Sequence, residues 1–169
     1  MLDFIKNNKE AITIIVATIT AAVTIFSFIR ALNEYRVQGQ LKRAELVRLW
    51  FNLFLTDQRL QVVKELLEEE TEGGGAALAR HKFIDRYYFL GRCEEVAIAV
   101  NSGLIKKNVA YYLFGYFAII CWDSKYFWEG LPGGRDVKLW SVFGNFVTQM
   151  KEEREAFNSD PSGPGKMIY

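Results

Sequence analysis

Hydrophobic and polar positions divide this chain into two regimes. From Ala11 to Ile29, AITIIVATITAAVTIFSFI, no charged residue occurs. At 1.5 Å rise per residue that run makes a helix of about 28 Å, which matches the hydrocarbon core of a bilayer. It predicts a single transmembrane helix. Beyond it a helical period takes over. In QLKRAELVRLWFNLFL, Leu41, Ala44, Val47, Phe51 and Phe54 recur at spacings of three and four, which predicts one buried stripe. Thr56 or Asp57 is suited to cap the next helix, QRLQVVKELLEEE, whose acidic end runs into the loop TEGGG. ALARHKFIDRYYFLGRCEEVAIAV reads as one long helix, with Asn101, Ser102 and Gly103 as its stop. After LIKKN come the apolar VAYYLFGYFAIICW, the loop GLPGG and a last helix, DVKLWSVFGNFVTQMKEEREAF.

No period-two strands bounded by hairpin turns are visible, and no repeat of twenty to fifty residues. The expected architecture is therefore all-α. Residues 1–10 form a short head, 11–29 the transmembrane helix, and 30–157 a cytoplasmic bundle of about five helices. Residues 158–169, rich in Pro, Gly and Ser, read as a flexible tail. Asn108 to Trp122 carries no charge but is short for a span and rich in aromatics. It is read as a core helix, with a membrane-dipping helix as the alternative.

Charge sets the orientation. Arg30, Arg36, Lys42, Arg43 and Arg48 follow the apolar run within about twenty residues, whereas only Lys6, Lys9 and the chain's amine precede it. The positive-inside bias places the N-terminus in the periplasm and the following domain in the cytoplasm of a bacterial inner-membrane protein. A cleaved secretory signal is the competing reading, because TAAV at Thr20 to Val23 resembles a small-residue cleavage site; the length of the run and its continuation into RALNEYR count against it. Over the whole chain 21 basic residues face 20 acidic ones, a net charge of +1, so no general attraction to nucleic acid is expected.

The apolar run also carries an internal pattern. Thr13, Ala17, Thr20, Thr24 and Ser27 follow one another at spacings of four, three, four and three, the rhythm of a helix seam. Ile15, Ile19, Phe26 and Ile29 fall on the opposite side. The rhythm extends to Glu10 before the run and to Ala31 and Glu34 after it, so carboxylates flank the seam. One reading is a monomeric anchor in which each hydroxyl bonds its own helix. The other is a self-association face, which in a ring of copies would line a wet lumen.

Candidate chemistry is sparse. The chain has one histidine, His81, and two cysteines, Cys93 and Cys121, whose separation fits no metal-site spacing and whose expected state is a reduced thiol. No GxxxxGK[ST] loop occurs, and GLPGGRD at Gly130 to Asp136 follows no strand. Glu94 and Glu95 beside Arg92, and Asp85 beside Arg86, read as solvated or ion-paired faces, because adjacent carboxylates on a helix point apart. No catalytic, cofactor-binding or metal-ligating residue is expected, and no cofactor. Helical bundles of this size include the HEPN domains, which cleave RNA with an Arg and a His that have four to six residues between them. The matching positions before His81 are Gly74, Gly75 and Ala76, so RNA cleavage by that route is not expected.

The stretch YYFLGRCEEVAIAVNSGLIKKNVAYYLFGYFAIICW resembles a bacterial family of membrane-anchored helical domains of unknown function. There a Glu-containing helix ends in a Gly-Leu-Ile step and leads into a hydrophobic helix; here the elements are Glu94, Glu95, Gly103, Leu104 and Ile105. The overall layout is also similar to the small membrane accessory protein of type VI-B CRISPR systems, a membrane helix joined to a HEPN-like domain. The resemblance implies a homo-oligomeric pore that depolarises the inner membrane in phage defence. Implied partners are lipid, further copies of the chain, and a CRISPR effector or small signalling ligand. The alternatives are a tethered adaptor or ligand sensor using the aromatic helix and GLPGG loop, and an enzyme of unfamiliar type involving His81, Arg92 or Glu94.

Overall fold

A computed structural model of the chain describes residues 9–159, and among these there is no strand. In chain order the elements are α1 (Lys9–Thr56), α2 (Gln58–Thr71), α3 (Ala76–Arg80), α4 (Phe83–Asn101) and α5 (Lys107–Ala110). A π-helical turn (Tyr111–Gly115) follows, then α6 (Tyr116–Asp123), α7 (Lys125–Trp128) and α8 (Ser141–Ser159). The expected all-α architecture is present, with one long apolar N-terminal helix followed by a helical domain. The chain divides into two compact units, Met1–Lys42 and Arg43–Tyr169, so residues 30–42 group with the apolar run. Of the expected head, Lys9 and Glu10 belong to α1 and the rest lies outside the described residues. Of the expected tail, Asn158 and Ser159 belong to α8 and the remainder likewise lies outside.

In the first unit the described residues form a single helix, Gly39 included, and nothing lies within 4 Å of a Cβ placed there. In the second unit the core follows the helical period. Leu60, Val63 and Leu67 form the buried stripe of α2; Phe89, Cys93, Val96 and Val100 form that of α4; Phe143, Phe146, Val147 and Met150 form that of α8. Removing each large side chain from water contributes about 1.5–3 kcal/mol. The stripe expected at the end of α1 is only half realised. Val47 and Phe54 are buried and Phe51 half-buried, but Leu41 and Ala44 are exposed. Phe54 meets Phe89 and Phe114 at centroid distances of 5.9 and 5.0 Å, whereas no element of the bundle covers Ala44.

Three boundaries depart from the periodic reading. The helix expected over ALARHKFIDR breaks at His81, which is extended (ψ 152°), and Lys82, which is non-helical (ψ 124°). The break frees the Ala79 carbonyl, which accepts from Arg86 Nη2 at 3.4 Å. The last helix begins at Ser141 rather than Asp136. Asp136 Oδ1 accepts the Lys138 amide at 2.7 Å, and the Trp140 indole donates to the Gly134 carbonyl at 3.1 Å, which holds this stretch in turns. Finally, the charge-free segment from Asn108 is a core element, with Val109, Ala110, Phe114, Ala118, Ile119 and Cys121 buried. It widens into the π-helical turn, where a Cβ on Gly115 would stand 2.6 Å from the Tyr111 ring.

Candidate functional site

From Lys9 to Lys42 every residue is exposed. An 18-residue window of this helix has a mean hydropathy of 2.4 with none of it buried, and among the described residues α1 is the one helix long and apolar enough to cross a membrane. Nine aliphatic and aromatic side chains between Ile14 and Ile29 stand 51–69% exposed. Covering them is worth on the order of 10–25 kcal/mol, as much as the whole stability of an ordinary domain. This surface therefore requires lipid or an apolar partner.

The five seam residues, Thr13, Ala17, Thr20, Thr24 and Ser27, lie within about 40° of one line along the helix at 100° per residue. Glu10, Ala31 and Glu34 continue it, and all eight are exposed. The Thr13, Thr20 and Thr24 hydroxyls each donate to the carbonyl four residues back, at 2.8 Å. Thr18, off the stripe, does the same to Ile14. Hydrogen bonding thus treats all four threonines alike, and register alone sets the stripe apart. Each hydroxyl oxygen retains acceptor capacity towards a neighbour or water. Glu10 and Thr13, with Lys9 and Ile14, line a shallow hollow at the start of α1. Arg30, Arg36, Lys42, Arg43 and Arg48 are all exposed.

Within the bundle, the residues singled out by sequence make local pairs. His81 Nε2 stands 3.0 Å from Asp85 Oδ2 as an (i, i+4) ion-pair contact, and Arg92 pairs with Glu95 at 2.8 Å. Glu94 is half-buried, which pushes its carboxyl pKa upward. Among the described residues no three His, Cys, Asp or Glu side chains are grouped to hold a metal ion. Cys93 and Cys121 are free, buried thiols whose pKa values burial drives well upward. The GLPGG loop is pinned from inside: Leu131 is buried, and the Tyr87 hydroxyl donates to the Pro132 carbonyl at 2.9 Å.

Arg86 overturns the expectation of a solvated or ion-paired face. It is 2% exposed, and its Nη1 donates to the Phe127, Glu129 and Tyr126 carbonyls at 2.7, 2.8 and 3.3 Å. Burial lowers its pKa, and Glu129 opposes that shift. Lying beside Asp85 in sequence, it gave no hint of partners some forty residues away. Asp57 caps the next helix as one of the two expected residues, but the cluster around it was not foreseen. Asp57 caps α2 through the Arg59 amide, holds the Arg59 guanidinium at 3.1 Å and accepts from the Tyr88 hydroxyl at 2.9 Å. The Arg59 and Arg92 guanidinium carbons lie 3.6 and 5.0 Å from the centre of the Tyr88 ring. The (i, i+4) spacing of Tyr88 and Arg92 was a usable signal; the link to Asp57 had none. No family model, curated protein or solved structure matches the chain.

Proposed function

We propose that this chain is a single-span, homo-oligomeric protein of the bacterial inner membrane, with a periplasmic N-terminus and a cytoplasmic bundle, that permeabilises the membrane as a pore. The carrying observation is the fully exposed apolar run of α1, which bears four of its five hydroxylated residues, Thr13, Thr20, Thr24 and Ser27, with Ala17 in one register. An anchor needs only apolar surface. A stripe that keeps hydroxyl acceptors on one line, with Glu10 and Glu34 in the same register, suits contact with further copies and with water in a lumen. No catalytic residue is required. The layout's similarity to the CRISPR-linked accessory protein supports depolarisation in phage defence, with a CRISPR effector or small signalling ligand as trigger.

The test is the mass of the detergent-solubilised protein together with ion leakage from vesicles. The wild type should form a discrete assembly of at least about four copies and leak. A variant with Thr13, Thr20, Thr24 and Ser27 all changed to Leu should leave vesicles tight. A monomer or dimer that leaks nothing refutes the pore.

A second reading, a tethered adaptor or ligand sensor without pore activity, is favoured by the back-bonding of Thr18 in the same manner as the seam threonines. It predicts that biological activity survives replacement of residues 11–29 by an unrelated apolar helix. The pore reading predicts loss.

A further inference from the structure

One surface of the bundle unit joins two stretches of chain, Lys82 to Ile84 at the start of α4 and Arg135 to Leu139 in the turns before α8. Phe83, Ile84, Val137 and Leu139 stand 53–66% exposed. The Phe83 and Tyr87 rings meet at 6.4 Å, and the Tyr87 and Trp140 rings at 5.5 Å. The Tyr87 hydroxyl donates to the Pro132 carbonyl, and Leu139 Cδ2 would lie 3.0 Å from a Cβ on the adjoining Gly133. Tyr87 therefore ties both stretches into one patch.

Charge is interleaved with these apolar tips. Lys82, Arg135 and Lys138 are exposed, against one exposed carboxylate, Asp136, whose Oδ1 accepts the Lys138 amide. Asp85 is half-buried and stands 3.0 Å from His81 Nε2. Among the described residues Lys82 and Lys138 enter no ion pair. The core of a protein–protein interface is depleted of lysine. A bilayer interface instead takes apolar tips to the acyl boundary and leaves lysine and arginine heads among the phosphates. We propose that this patch seats on the anionic headgroup surface of a bilayer. Phe83, Ile84, Val137 and Leu139 enter the interface, and Lys82, Arg135 and Lys138 meet lipid phosphates. The inference rests on the membrane-span reading of α1, which brings the chain to lipid, and not on the pore.

The test uses full-length protein in phosphatidylcholine vesicles with and without about a quarter phosphatidylglycerol. One fluorophore is attached at Leu139→Cys, at Ile98→Cys or at Ile19→Cys, and nitroxide-labelled lipid quenches it on contact. Cys93 and Cys121 are buried and do not compete for the label. Ile98 is an exposed apolar residue of α4, about 22 Å along the helix from Phe83. Each basic side chain near an anionic surface favours contact about fivefold. In anionic vesicles the Leu139 label should therefore be quenched at least about threefold more than the Ile98 label. That excess should vanish without phosphatidylglycerol, in about 1 M salt, and in a Lys82→Glu, Lys138→Glu variant that melts like the wild type in detergent. Equal quenching at Leu139 and Ile98, or indifference to phosphatidylglycerol, salt or the double substitution, would each overturn the proposal. So would a Leu139 label shielded from water yet unquenched by lipid, which marks a protein partner instead. Quenching at Ile19 without quenching at Leu139 removes the patch and leaves the span standing; no quenching at Ile19 removes both.

Discussion

Replacing Arg86 by Met keeps the length of the buried stem and removes the guanidinium. Four carbonyls lose a donor: those of Phe127 and Glu129 at short distance, and those of Tyr126 and Ala79 at 3.3 and 3.4 Å. Glu129 is exposed and its carbonyl can rewet, whereas the Phe127 bond is fully buried. A buried acceptor left unmade costs about 1–3 kcal/mol, and the weaker contacts add about half as much again. Removing the charge also relieves its desolvation, so the net loss is about 1–3 kcal/mol rather than the full sum. For a unit of this size that is a fall in melting temperature of roughly 10 °C. The assay is thermal unfolding in detergent followed by tryptophan fluorescence, since Trp128 and Trp140 pack against each other at 6.2 Å near this site. Arg86→Lys should recover only part of the loss, because a single ammonium cannot reproduce the planar fork. A Met variant that melts within about 2 °C of wild type, or above it, refutes the reasoning.

Other consequences follow from the same structure. Gly75→Ala would place a Cβ 2.0 Å from the Tyr126 ring, so it should destabilise the bundle by about 1–3 kcal/mol, measured in the same melt. Asp57 is held at a pKa of about 2, chiefly by its hydrogen bonds from the Arg59 side chain, with Tyr88 adding to the effect against burial. Because its folded pKa lies below the ordinary 3.8, its contribution is complete above about pH 4 and is lost as pH falls towards 2. Asp57→Asn should flatten stability over that window, and Asp57→Ala should cost about 1 kcal/mol at neutral pH from the lost cap. Cys93 and Cys121 should resist maleimide in the native protein at pH 8 and both react after unfolding; rapid native labelling would contradict their burial.

Periodicity carried the helices of the bundle because the stripe that meets the core is written locally. The Gly103 stop of α4 was legible as a cap, and the core place of Phe114, Ile119 and Cys121 from a charge-free, aromatic segment too short for a span. The Gly103 φ of +71° is the left-handed stop that a glycine after Asn and Ser foretells. Periodicity failed where a local pattern met a distant demand. Nothing between Ala77 and Arg86 in sequence breaks a helix, yet the chain turns at His81, and the freed Ala79 carbonyl meets the Arg86 guanidinium. Asp136 to Trp140 lies within the expected last helix, but side-chain bonds to nearby backbone hold it outside α8.

The register of the hydroxylated stripe on α1 was readable from residues 10–34 alone, because a helix repeats every 3.6 residues whatever surrounds it. The absence of charge from Ala11 to Ile29 likewise decided that this segment needs an apolar environment. Tertiary structure alone decided that Arg86 lies inside while Asp85 remains at the edge, and that Asp57, Arg59 and Tyr88 join across thirty residues. It also decided that Phe83 and Leu139 share one exposed surface. Side-chain type and spacing specify which face of an element turns inward; which distant carbonyl, ring or hydroxyl waits there depends on how the elements pack.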